Sequence, residues 1–105
     1  MTERANDAGV ELLDERREYT VEELCRVCRL ERHRLVEYVA HGIVGETAIS
    51  RGRFTWIELY RLVRAVRVRR ELEVELADLG LVMDLLETIE RQRRELDVLR
   101  RHGGR

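Results

Sequence analysis

Two thiols one helical turn apart, in Cys25-Arg-Val-Cys28, form the spacing in this chain that comes nearest to chemistry: such a pair can grip a zinc ion or act as a redox couple. A zinc site needs two further ligands, and the chain holds no second cysteine pair. His33 and His41 are the nearby candidates, and their i, i+8 spacing matches no finger pattern. No Ser, Cys or acid stands beside the three histidines in a recognisable triad, and no glycine-rich phosphate loop is present. The residues thus predict no metal, no cofactor and no catalytic group, hence no enzyme. Core packing is the expectation for Cys25 and Cys28, since free cysteine is among the most buried residue types. A redox switch is the other use the pair allows.

Charge is the stronger signal. Residues 51–70 hold seven Arg (Arg51, Arg53, Arg61, Arg64, Arg67, Arg69, Arg70) against one acid, Glu58, for a net of +6. Residues 71–90 hold seven acids (Glu71, Glu73, Glu75, Asp78, Asp84, Glu87, Glu90) and no base, for a net of −7. The Arg run has two readings: phosphate contacts on a DNA-binding helix, or a solvated face balanced by neighbouring acids. The acids that follow it, together with Glu37 upstream, would repel a phosphate backbone. Nucleic acid is therefore not the expected partner, which leaves another protein.

Bulk properties set the frame. A chain of 105 residues is one small domain with room for a modest core and a dimer seam, but little for a large catalytic cleft. Its net charge of −1, from 20 basic and 21 acidic residues, lacks the basic excess of a nucleic-acid coat. Lys is absent, and coding bias accounts for that as readily as an Arg-dependent interface, so the total Arg count decides nothing. No apolar run approaches the ~20 residues that span a bilayer. With no export signal and two cysteines, the expected setting is the reducing cytoplasm, without a membrane partner.

The elements that must carry these groups are helical. Residues 1–18, with six acids and three Arg and no sustained periodicity, read as a mobile acidic arm with a helical turn near residues 10–17. Thr20-Val-Glu-Glu23 is a capping box opening a helix from Val21 to about Cys28, with Leu24, Val27 and Cys28 on one face. A second helix, from about Arg32 to His41, buries Leu35 and Val39 with Tyr38 flanking, and Gly42 followed by Ile43 fits its left-handed end. Together the two make a helix-turn-helix. Turn residues Gly45, Ser50 and Gly52 between short extended stretches suggest a two-stranded wing over residues 44–54. Thr55-Trp-Ile-Glu58 is a second capping box; its helix buries Leu59, Leu62, Val63 and Val66, turns Arg61, Arg64 and Arg67 to another face, and runs to about Leu72. The last helix, Leu76 to about Arg101, carries Val82, Leu85, Ile89, Gln92, Leu96 and Leu99 in a 3,4,3,4,3 rhythm that calls for a partner helix. A stripe so late in the chain has few helices left to cover it, so it is read as a homodimer seam.

In order, Tyr19-Thr-Val-Glu-Glu-Leu24, Leu35 through Tyr38-Val-Ala-His-Gly-Ile43, and Arg53-Phe-Thr-Trp-Ile-Glu-Leu59 resemble the winged-helix module of MerR-type regulators, which dimerise through a C-terminal coiled coil. Where DNA-binding members carry an Arg-Tyr-Tyr run in the second helix, this chain has Val36-Glu37-Tyr38. It is more closely similar to the CbpM family of chaperone modulators, over Tyr19 to Arg101. Cys25, Gly42-Ile-Val44, the run from Arg64 to Leu72 and the heptad tail carry that likeness.

The resemblance implies a mainly α, MerR-like winged helix-turn-helix with a small β wing and a C-terminal helix forming a short antiparallel or parallel coiled-coil seam. The expected organisation is an arm at 1–18, a winged-helix domain at 19–75, a dimerisation helix at 76–101 and a tail at 102–105. It further implies a chaperone modulator that binds the J-domain of a DnaJ-like co-chaperone and inhibits its stimulation of a DnaK-type chaperone. A MerR-like DNA-binding transcriptional regulator is the alternative. Because a J-domain presents a basic helix, Glu71, Glu73, Glu75, Asp78, Asp84 and Glu87 are the expected partner-binding residues.

Overall fold

The computed structural model describes residues 15–45 and 50–103, and four helices are defined among them: α1 (Val21–Cys28), α2 (Arg32–Ala40), α3 (Trp56–Leu72) and α4 (Leu76–Gly103). Both capping boxes form. Thr20 accepts from the Glu23 amide at 3.1 Å and Glu23 accepts from the Thr20 amide at 2.8 Å; Thr55 and Glu58 repeat the arrangement at 3.2 and 2.8 Å. Each box satisfies amides that the first turn of a helix leaves without a partner. α1 ends in a left-handed residue, Arg29, and a short turn leads into α2. α2 ends through Gly42 at φ 77°, a conformation that glycine reaches without a Cβ penalty, and the Ile43 amide returns to the Tyr38 carbonyl at 3.1 Å.

α3 is the central element, packed on both α1 and α4, while α1 also packs on α2. Its predicted stripe of Leu59, Leu62, Val63 and Val66 is buried, and so are Ala65 and Val68, because neighbours cover it on more than one side. Leu24, Leu35 and Ile43 come in from the helix-turn-helix. Tyr38, expected at the flank of α2, is buried: the Arg69 guanidinium of α3 lies 5.7 Å from its ring centroid and shields it from water.

Among the described residues there is no strand. Phe54, expected in a wing strand, forms an isolated antiparallel bridge with Tyr19 through two 2.8 Å hydrogen bonds, tying the start of the domain to the entry of α3. Both rings are buried, which anchors the pair against the core. Ser50 and Arg51 are helical, Arg51 donating to the Arg53 carbonyl at 2.9 Å and meeting Glu58 at 3.2 Å. Residues 46–49, the middle of the expected wing, lie outside the described residues, as do 1–14 of the expected arm. At the end of that arm, Arg17 pairs with Glu23 and stands over the Tyr19 ring, and Glu18 meets Arg53 at 3.6 Å.

α4 has two parts. Leu79 and Met83 are fully buried, with Leu76, Val82 and Leu86 packed beside them, whereas every residue from 91 to 103 is exposed. At 1.5 Å of rise per residue its 28 residues extend roughly 42 Å, well past the core they stabilise at one end.

Candidate interaction surface

The six acids expected to bind a partner fall into two groups. Asp84 and Glu87 project from α4 toward α3, where Arg61 meets Asp84 at 3.5 Å and also pairs with Glu87. The same Arg61 donates through Nε to the Ile43 carbonyl at 2.8 Å, so one guanidinium joins α2's exit, α3 and α4. One turn along, Arg64 pairs with Glu90, a residue that was counted in the charge reversal and not named as a site. The hydrogen bond from Arg64 is the main cause holding the Glu90 carboxyl below the usual carboxylate range, and the same bond raises Arg64 above its ordinary value. The equal sequence offset of Arg61–Glu87 and Arg64–Glu90 is the signal that could have found this clasp from sequence.

Glu71, Glu73, Glu75 and Asp78 form the second group. All four are exposed and surround the corner where α3 gives way to α4. Glu73 makes the corner: at φ 53° it caps α3, its amide returning to the Arg69 carbonyl. A non-glycine residue there costs about 1 kcal/mol of backbone strain. Among the described residues Glu73, Glu75 and Asp78 take part in no ion pair. The structure therefore pairs Asp84 and Glu87 with Arg61 at the protein surface and leaves the corner acids exposed.

The predicted reading helix of the helix-turn-helix is electrostatically occupied. On α2, Arg32 meets Glu22 of α1 at 3.4 Å, Arg34 meets Glu37 at 3.3 Å, and His33 lies 3.9 Å from Glu31. A phosphate approaching this face would meet a carboxylate beside each of those bases.

The cysteines lack the surroundings of a reactive pair. Cys28 is buried, which pushes its thiol up to about 12, and Cys25, partly buried, is also raised by desolvation. Reactive thiols have the opposite shift. No group of three His, Cys, Asp or Glu among the described residues could hold a metal ion.

The seam residues have a graded placement. Val82 packs against the core, while Leu85, Ile89, Gln92, Leu96 and Leu99 are exposed, four of them large apolar side chains. Among the described residues no helix is long and apolar enough to cross a membrane.

A capped helix-turn-helix on a central third helix, with a long trailing helix that outruns its own core, defines a helix-turn-helix domain. The model of the MerR HTH family of regulatory proteins matches residues 19–101, and the chain belongs to that family. No curated protein and no solved structure matches it.

Proposed function

We propose that this chain is a chaperone modulator of the CbpM kind: a homodimeric adaptor that binds the J-domain of a DnaJ-like co-chaperone and prevents it from activating a DnaK-type chaperone. The observation that carries the reading is the outward acidic corner. Its carboxylates face solvent, whereas the bases of the reading helix are matched by acids of their own. A basic helix laid against the corner would gain complementary charge, giving fast, salt-sensitive association. The exposed apolar residues of α4 support the dimeric form.

The test is a calorimetric titration of one preparation with a J-domain and with duplex DNA across ionic strength. The expected result is J-domain binding that weakens with salt and is reduced by the triple reversal Glu71→Arg, Glu75→Arg, Asp78→Arg. No J-domain binding at low salt would refute the reading; binding that ignores the triple reversal would move the surface away from the corner. The second reading, a DNA-binding regulator, has the helix-turn-helix and the exposed Arg32, His33 and Val36 of α2 in its favour. It requires a mobility shift stronger for promoter fragments than for random duplex.

A further inference from the structure

We infer that the cleft between the α1–α2 turn and the end of α3 receives an acidic side chain of the bound partner, with Arg69 as its anchor; this rests on the partner reading above. The cleft, of about 450 Å³, has Leu30, Tyr38, Val66 and Val74 as its walls, with Arg69, Arg70 and Glu73 supplying charge. Arg69 differs from the other α3 bases whose pairs are defined. Arg61 and Arg64 each hold a carboxylate of α4, but Arg69 has none among the described residues. Its contacts are the Tyr38 ring and, at 3.5 Å, the Tyr38 hydroxyl. A partly buried guanidinium on an aromatic face, with only Nη1 directed to the Tyr38 hydroxyl, has further N–H groups for a planar oxyanion such as carboxylate.

The surroundings select the kind of anion. Glu73 lines the same cleft and the exposed Glu75 and Asp78 follow it, so a dianionic phosphate or a nucleic-acid backbone drawn to Arg69 and Arg70 would also meet three carboxylates. A single carboxylate on a polypeptide whose neighbouring bases answer those acids meets no such penalty. The carbonyl end of α3 also disfavours anions, so the attraction comes from Arg69 and Arg70, of which Arg69 is the partly buried one, held against Tyr38. The corner then reads two signs at once: bases of the partner on the acids, and one acid of the partner in the cleft.

Two arms test this. In the first, calorimetry compares the wild type, Arg69→Gln and Arg69→Lys against the J-domain, with equal melting temperatures showing that the fold is kept. Arg69→Gln is expected to weaken binding on the order of tenfold, with Arg69→Lys intermediate. Neutralising each J-domain acid in turn should reveal one whose loss is not additive with Arg69→Gln. Equal affinity of all three proteins overturns the inference while leaving the partner reading standing. The second arm does not depend on the J-domain: the Arg69 Nε–H and the Val66 and Val74 methyls are followed by NMR during titration with a short amidated peptide containing Lys, Leu and one Asp. Shifts are expected with that peptide and not with its Asn counterpart. Their absence, or equal shifts from inorganic phosphate, overturns the inference even if no J-domain binds.

Discussion

Ile89→Ala should weaken the proposed dimer about thirtyfold while leaving the protomer folded. Ile89 sits in the middle of the 3,4,3,4,3 rhythm and is 45% exposed in the single chain, beside Leu85 at 53%, Leu96 at 52% and Leu99 at 65%. Burying an aliphatic side chain completely is worth ~1.5–3 kcal/mol, so covering the exposed half of Ile89 contributes roughly 1 kcal/mol. A symmetric dimer loses that twice, about 2 kcal/mol, which is close to a thirtyfold rise in Kd. Alanine is the better helix former, so α4 itself is not weakened. Sedimentation equilibrium over a concentration series reads the change, with Leu81→Ala as the control: Leu81 is 65% exposed but lies off the rhythm, and its variant should dimerise as the wild type does. If Leu81→Ala costs as much as Ile89→Ala, the association is unspecific apolar clustering and the seam is wrong. A wild type that stays monomeric throughout the series would refute the argument altogether.

Three further outcomes follow from single groups. With its thiol near 12, Cys28 has a thiolate fraction of order 10⁻⁴ or less at neutral pH, so native protein should resist iodoacetamide at that residue and react fully once denatured; labelling at the rate of a free thiol would revive the redox reading. Glu90 has a lowered carboxyl in the folded state, so its pair with Arg64 contributes stability at neutral pH that is present above the ordinary Glu value of about 4.3 and lost as pH falls through the lower folded value. Glu90→Gln should therefore flatten the acid limb of thermal stability against pH; an unchanged limb would show that the clasp is energetically silent. Thr55→Ala removes the hydroxyl that accepts from the Glu58 amide at the start of the central helix and should cost about 1 kcal/mol, a fall of several degrees in Tm by calorimetry.

The helix starts were legible because their determinants are local. A Thr and a Glu three residues on satisfy each other's amides whatever the rest of the chain does, and Gly42 needs only its own backbone. The contacts missed were those between residues distant in sequence. The turn residues before Phe54 predict a wing strand there, but its partner is Tyr19, 35 positions back. Nothing near Tyr38 in sequence announces Arg69, 31 positions on, so its burial has no local signal. The acids show the same division most usefully. In composition the block from 71 to 90 is uniform, and a binding surface could be drawn anywhere along it. Once α4 folds across α3, Arg61 takes Asp84 and Glu87 and Arg64 takes Glu90, so that half of the block holds the protein together. A partner recruiting Asp84 or Glu87 would have to break ion pairs with a half-buried guanidinium, whereas one reaching Glu73, Glu75 or Asp78 would displace only water. On that energetic ground the proposed partner surface is drawn at the α3–α4 corner, and charge reversal at Glu87 should lower stability more than it lowers affinity.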